Sequence, residues 1–230
     1  MNYILMSLAL FIFTLPHTLF AATMPTPPED CFAEQSYCHK YEIVYDNDIR
    51  YIEVTIHAEI DASEFATSQD IINRYFDFDH WFEYLDGKDA VRLVTSTALP
   101  TTVEADGREY IWHFSHYYTK APFPLWSMQI KEVSYYRKIV PNPYADAQVA
   151  WEFDLKKGRI QIPSLGEDFT DSWGLKYKYG QLFARFDQEK QKYYVLAVTR
   201  VIPSIDLLPS VAAPYIEASM LAIFQGVFDL

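Results

Sequence analysis

The clearest pattern in the chain is a strict alternation of apolar and polar residues over positions 51–60. The apolar residues occupy one set of alternate positions and the polar residues the other: Ile52, Val54, Ile56, Ala58 and Ile60 against Glu53, Thr55, His57 and Glu59. Successive side chains of a β-strand point to opposite faces. The pattern therefore predicts a strand with one buried and one solvent-facing side.

A helical pattern follows this strand. The polar stretch 67–70 is a helix-start signal, and apolar residues recur after it at helical spacing as far as Leu85. We expect one helix, or two short ones, ending at Asp86-Gly87.

Beyond residue 87 the pattern returns to strands and then to a final helix. Strand-like runs cover positions 90–97, 108–118, 127–139, 148–155, 174–186 and 192–202, separated by turn sequences such as Asp106-Gly107 and Lys157-Gly158. Gly180, inside an aromatic run, predicts a bulge. Positions 208–230 regain helical spacing. The order predicts an α+β fold: a curved antiparallel sheet of about seven strands, an N-terminal helical segment and a long C-terminal helix.

The first 22 residues predict export. Positions 4–20 are almost wholly apolar and precede the small residues Ala21-Ala22-Thr23, which is typical of a secretory signal peptide. The three residues before this run carry no Lys or Arg, so an uncleaved N-terminal membrane anchor is the alternative interpretation. We expect a periplasmic or secreted protein, with N-terminal membrane anchoring as the alternative.

Residues 23–48 are expected to form an extended leader with a disulfide loop. The two cysteines of the chain, Cys31 and Cys38, lie in this polar stretch and can close a small loop in an oxidising compartment. A metal site would need more ligands than His39 supplies. Residues 49–230 then form one domain.

The charge limits the partners. The formal net charge is −12, and residues 1–22 contain no charged side chain, so all of this charge belongs to the exported part. An acidic protein is repelled by phosphate backbones. We therefore expect no nucleic-acid partner.

The element order resembles the helix-grip fold of the START-like (SRPBCC) superfamily, here in an exported bacterial member. Two stretches add to the resemblance: the proline-rich residues 121–125 before the strand near Ser127, and the proline-containing link 201–209 before the final helix. It covers residues 51–230. It implies a sheet closed by the C-terminal helix over an apolar cavity, in a superfamily of lipid carriers, hormone receptors, cyclases and coenzyme-binding proteins.

The alternation of side chains along each strand predicts which residues face such a cavity, and these residues are the candidate ligand contacts. These candidates are Tyr110, Trp112, Phe114, Met128, Ile130, Trp151, Phe153, Tyr177, Tyr179, Val195, Ala197, Tyr215, Met220 and Phe224. On the strand at 108–118, the row Ile111, His113 and Tyr117 is an equally possible inner row. The alternative for each residue is a place in a solid core. Aromatic residues make up 17% of the chain, which suits a lined pocket.

Patterns for catalysis or metal binding are weak. His113 and His116 stand three residues apart on a strand and so point to opposite faces. Asp77 and His80 would share one side of a helix, where a solvated face is the simpler interpretation. The chain contains no nucleophile-elbow, zinc-protease or phosphate-loop motif. We predict no catalytic residue, metal or cofactor.

Three classes of function remain. The favoured one is a non-enzymatic carrier of a hydrophobic small molecule or lipid, which could contact a membrane during loading. The second is a cyclase- or hydratase-like enzyme acting on a polyketide- or steroid-like substrate, with Arg92, His113, Glu132 or Arg200 as conceivable acids and bases. The third is an envelope interaction module without a ligand.

Overall fold

The computed structural model describes residues 24–99, 102–103, 109–121, 127–139, 145–154, 175–203 and 209–230. The predicted signal peptide lies outside these residues. The described part contains nine strands and three α-helices: β1 Tyr37–Asp46, β2 Ile49–Asp61, α1 Ser68–Tyr75, α2 Trp81–Tyr84, β3 Val91–Ala98, β4 Thr102–Val103, β5 Glu109–Lys120, β6 Ser127–Ile139, β7 Ala147–Asp154, β8 Leu175–Asp187, β9 Lys192–Pro203 and α3 Pro209–Phe228. A 3₁₀ turn, Phe78–His80, leads into α2.

The strands form an antiparallel sheet in the order β1-β2-β9-β8-β7-β6-β5-β3, with β4 paired to β5. The predicted α+β class, antiparallel sheet and long C-terminal helix are confirmed. The predicted number of about seven strands is too low, because the described residues form eight long strands and the two-residue β4.

The additional long strand, β1, comes from residues 37–46, which the sequence predicted as part of an extended leader. These residues lack a buried face and are mostly exposed, so hydrophobic periodicity did not reveal them. Their partner is β2, across a turn in which Asn47 and Asp48 have φ values of 48° and 65°. Two successive positive φ values are typical of a tight hairpin turn.

The two faces of the sheet are covered by different parts of the chain. We call the face toward α1 and α3 the inner face. It carries the main core, which includes Ile52, Val149, Leu182 and Val195. The outer face carries a smaller cluster around Phe183, Leu196 and Val198, against which Met24 and Phe32 pack.

The N-terminal segment, residues 24–36, is held on the outer face. The disulfide Cys31–Cys38 joins it to β1, with 5.2 Å between the two α-carbons. Phe32 contacts the Tyr194 ring edge-on at 6.4 Å, and the Tyr194 hydroxyl donates to the Pro25 carbonyl at 3.0 Å. The predicted cysteine pairing is therefore present, and the expected leader covers apolar surface instead of extending away.

Helix α3 is a core helix of this fold. It is long and apolar enough to cross a membrane by length and composition, and is the only such helix among the described residues. Ala213, Phe224 and Val227 are nevertheless fully buried within the fold. Polar contacts hold the side of α3 that lies next to β1. The His39 ring donates from Nδ1 to Glu217 at 2.9 Å, and Gln225 donates to the Tyr37 hydroxyl at 2.7 Å.

Gly180 has a packing role instead of the predicted bulge. The β7–β8 register runs without a shift through the pair Trp151 and Gly180. A Cβ added at Gly180 would overlap the Trp151 indole. Glycine is therefore required because the large ring lies directly over this backbone.

Candidate functional site on the inner face

The described interior is filled at the end next to α1. The Trp151 and Tyr75 rings stack with centroids 5.4 Å apart, and Tyr75 stacks on Phe228 at 6.3 Å. Phe224 meets Phe228 edge-on at 4.8 Å. Such aromatic pairs pack densely and exclude water. These ring contacts therefore hold the sheet, α1 and α3 together at this end of the described interior.

Farther along the inner face, the buried residues become polar. Ser96, His113, Ser115, Lys178 and Thr199 are all at most 7% exposed. Their strands place them on the side that carries Tyr117, Leu182 and Ala197 of the main core. Buried polar groups are costly unless they have partners. These five share the inner face, which makes this region the candidate site, and four other buried polar residues lie on the outer face: Thr55, His57, Gln148 and Gln181.

His113 is firmly fixed within this region. Its Nε2 is hydrogen-bonded to the Ser96 hydroxyl at 2.9 Å. Its ring lies parallel to Phe78 with centroids 3.6 Å apart, and Trp81 meets it edge-on. Burial, and secondarily the positive charge of Lys178, holds the pKa of His113 well below its usual range. The imidazole is therefore neutral at neutral pH and acts as an uncharged polar group.

Lys178 brings a charge onto the same face. It is 6% exposed and lies in β8 between Phe153 of β7 and Val201 of β9 in the strand register. Among the residues whose side-chain burial the structure describes, no other Lys, Arg, Asp or Glu is buried. Little water screens the charge of a buried ammonium group, so its attraction for anionic and strongly polar groups is strong. Lys178 therefore adds a basic side chain to the buried polar residues of the inner face.

Several predicted ligand contacts do lie on the interior side. Ile130, Trp151, Val195, Ala197 and Phe224 belong to the main core, and Met220 packs at its border. Tyr215 is half-buried on α3. The side chains of Tyr110, Met128 and Phe153 lie outside the described residues, so their orientation stays a prediction.

The predicted face is wrong for two strands. On β5 the inner row contains Ile111, His113 and Tyr117, so Trp112 and Phe114 lie on the outer side. The strand β5 is aromatic on both sides, which is why alternation favoured neither row.

On β8 the inner row contains Lys178, Gly180 and Leu182, which places Tyr177 and Tyr179 on the outer side with Phe183. By hydrophobicity alone, the row with Lys178 and Gly180 is expected on the outer side of β8, and the row with the two tyrosines on the inner side. The one available signal was Gly180, whose missing side chain makes room for a ring from a neighbouring strand.

Of the residues considered for an enzyme, Arg92 and Arg200 lie apart from His113. Arg200 is paired with Glu53 at 2.7 Å, and Arg92 stacks on the Tyr118 ring at 4.6 Å. Both lie on the outer side, whereas His113 lies inside. The side chain of Glu132 is outside the described residues. A shared acid–base site would need these groups within hydrogen-bond reach of one substrate.

The two histidine pairs behave as the sequence indicated. His116 is bonded to Gln129 at 2.7 Å on the side of β5 opposite to His113. His80 bonds to Asp77 at 2.6 Å and is largely exposed. The hydrogen bond and charge of Asp77 raise the pKa of His80. Within the described part of the chain, no three His, Cys, Asp or Glu residues are grouped to hold a metal.

A cleft of about 490 Å³ lies beneath the N-terminal segment and is lined by Cys31, Cys38, Lys40 and His57 among others. His57 Nδ1 lies 2.5 Å from the Tyr194 hydroxyl oxygen. That hydroxyl donates to the Pro25 carbonyl, so the imidazole must be the donor in this contact. Burial, assisted by the charge of Lys40, lowers the pKa of His57 to about 4.

The described residues thus form an α+β fold. It consists of an antiparallel sheet with a C-terminal helix on one side, and polar groups are buried on the side that faces the helix. No family model and no curated protein matches the chain. Among solved structures, it is similar to a Thermus thermophilus protein, with a TM-score of 0.46, 9% identity, and coverage of 77% of this chain and 94% of that one.

The chain is also similar to a structure described as a START superfamily protein from Mycobacterium smegmatis. The TM-score is 0.44 and the identity 9%, with 77% of this chain and 94% of that chain covered. A Deinococcus radiodurans protein gives a TM-score of 0.31 at 12% identity, covering 77% of this chain and 99% of that one.

Proposed function

We propose that the protein is an exported START-like carrier that binds a lipid-like molecule between the inner face of the sheet and α3. The ligand has an apolar body and one polar or anionic end. The body lies along the central strands, and the polar end is directed toward Lys178.

The observation that carries this proposal is the uneven contact between α3 and the sheet. Among the described residues, the closest backbone approaches of α3 to the sheet are to β1 and β2 at one side and to β5 and β3 at the other. The central strands β7 and β8 are covered by α1, at the end where Trp151 stacks on Tyr75. A sheet that meets the helix at its two sides supports a space under the middle of the helix.

The energies are sufficient for such a ligand. Burying ten methylene groups contributes about 8 kcal/mol before the costs of association are subtracted. An apolar tail alone therefore supports micromolar binding, and a charged anchor is needed only for selectivity. Lys178 supplies that selectivity because a carboxylate next to a buried ammonium forms a charge-assisted hydrogen bond.

The disulfide supports the exported part of the proposal. Cys31 and Cys38 are bonded to each other, and the described residues include no free cysteine. Disulfides persist in oxidising compartments such as the periplasm. The apolar run at 4–20 adds a matching export signal from the sequence.

The first test is extraction of the purified protein followed by mass spectrometry of the organic phase. We expect a co-purifying lipid or amphipathic small molecule. The delipidated protein should then take up a fluorescent fatty acid and the matching fluorescent alcohol. A protein that carries no extractable molecule and takes up neither probe is not a carrier.

The role of Lys178 is tested by Lys178→Met, with Lys176→Met as the matched control because Lys176 is exposed on the same strand. Lys178→Met should weaken binding of the fatty acid about tenfold and leave binding of the alcohol unchanged. Lys176→Met should change neither. Equal losses for both probes would mean that Lys178 only supports the fold.

A further inference from the structure

The sheet has two edges that differ in their protection. Edge strand β3 contains a register shift between Leu93 and Thr95, and the short β4 continues beside it on β5. Edge strand β1 pairs with β2 over ten consecutive residue pairs without any shift. Bulged, interrupted edges resist pairing with another strand, whereas a long regular edge is open to it.

The β1 edge also carries an unusual share of exposed apolar side chains. Among the residues whose burial the structure describes, eight large hydrophobic residues are exposed, and four of them are Tyr41, Ile43, Tyr45 and Ile49. Three of the four alternate along β1, on the side that faces α3. Tyr45 is 71% exposed. An apolar stripe of this kind along an open edge is typical of an interaction surface.

The charges of β1 indicate the partner. Lys40 and Glu42 flank Tyr41 symmetrically and are exposed. When two copies of β1 run antiparallel with Tyr41 opposite Tyr41, Lys40 of each copy lies opposite Glu42 of the other. The same register places Tyr45 opposite Tyr37. Charge complementarity of a strand with itself is what a two-fold interface requires.

We propose that two copies of this protein associate through antiparallel pairing of their β1 strands, centred on Tyr41, to form one continuous sheet. The interface combines the backbone hydrogen bonds of a new ladder with the apolar stripe and two Lys40–Glu42 pairs. The net charge of −12 on each copy opposes association, so these opposite-sign pairs are needed at the contact. The proposal is independent of ligand binding.

Light scattering on the purified full-length exported protein tests the proposal with three variants. The unchanged protein should be a dimer at high micromolar concentration. Glu42→Lys and Lys40→Glu each place like charges opposite one another, and should raise the dissociation constant at least about tenfold. The exchanged variant Lys40→Glu/Glu42→Lys should restore the dimer, and a monomeric unchanged protein overturns the proposal.

Each single variant also breaks the Lys40–Glu42 contact of 3.0 Å within the strand. Thermal unfolding in dilute solution, where the protein is monomeric, is therefore the control for the fold. We expect equal melting temperatures for both single variants and the unchanged protein. Dimer loss that merely follows a lowered melting temperature overturns the charge-pair assignment.

Cysteine crosslinking tests the register. Tyr41→Cys places two thiols opposite each other on the two-fold axis and should give a disulfide-linked dimer on a non-reducing gel. In Ile43→Cys the two new residues are about 14 Å apart along the strands, beyond the roughly 7 Å reach of a disulfide. Crosslinking of Ile43→Cys, or of neither variant, overturns the proposed pairing. A finding that the chain's own N-terminal residues cover the β1 edge also overturns it.

Discussion

At the scale of single residues, His57 shows how burial decides protonation. It is 3% exposed, and its pKa of about 4 lies below the ordinary value of 6.5. Its contact with Tyr194 joins β2 to β9 beneath the N-terminal segment. The unfolded chain binds a proton at His57 that the folded chain does not hold. Stability therefore falls as the pH decreases below 6.5 toward 4.

We predict that His57→Gln reduces the acid sensitivity of the fold. An amide can still donate to the Tyr194 hydroxyl but does not titrate. Between about pH 7 and about pH 5, the unchanged protein should lose about 1–2 kcal/mol more of its unfolding free energy than the variant does. Urea unfolding at both pH values measures this difference.

His80→Gln is the control for this measurement. His80 is exposed, and its partner Asp77 raises its pKa, so its contribution has the opposite sign. It stabilises the fold at low pH, and this contribution is lost as the pH rises through its folded value. The same pH dependence in His57→Gln as in the unchanged protein would contradict the assignment of acid sensitivity to His57.

At the scale of elements, the N-terminal segment is the part whose attachment depends on one covalent bond. Met24 and Phe32 cover the cluster of Phe183, Leu196 and Val198 on the outer face. Few apolar side chains make this contact, so the disulfide limits how far the segment can move away. Without the bond, the outer cluster is exposed to solvent for a larger fraction of the time.

We predict that replacing both cysteines by serine lowers the unfolding free energy by about 2–3 kcal/mol, as expected from the entropy of closing a short loop. The variant should bind more of an apolar dye and be cleaved faster by protease within residues 24–36. A variant with Phe32→Ser and an intact disulfide separates packing from crosslinking. Unchanged dye binding in the double-serine variant would show that packing alone holds the segment.

At the scale of the whole molecule, the proposed ligand lies where no single element encloses it. The sheet meets α3 at its two sides; Lys178 and Thr199 lie on strands between those sides, and Ser96, His113 and Ser115 lie on β3 and β5. A ligand placed there touches both the helix and the central strands. It therefore stabilises the folded state as a unit, by about 2.7 kcal/mol at a hundred times its dissociation constant.

Hydrogen exchange gives the prediction at this scale. Saturation with a long-chain fatty acid should slow amide exchange in α3, β7 and β8 relative to the delipidated protein. Exchange in the β1–β2 hairpin tip, residues 44–49, should stay unchanged and serves as the internal control. Protection confined to residues 24–40 would instead place the ligand in the outer cleft and contradict the proposed position.

Most of the elements could be predicted from the sequence, because the periodicity that marks a helix or a strand comes from residues that are close along the chain. Alternation marked β2, and the polar start at 67–70 corresponds to a capping box in which Thr67 and Asp70 bond each other's backbone. The long C-terminal helix and the successive antiparallel strands followed in the same way. The pairing of Cys31 with Cys38 was also predictable, since the chain offers no other thiol.

The tertiary structure decided what local pattern leaves open. Whether His113 or Trp112 faces inward depends on how β5 pairs with β3 and β6, because both rows of β5 are aromatic. Lys178 is an interior residue only because the register of β7 and β8 places it on the same face of the sheet as Trp151. Strand β1 required β2 as a partner. Periodicity reports how residues repeat along one element, whereas the face that is buried is fixed by neighbouring elements.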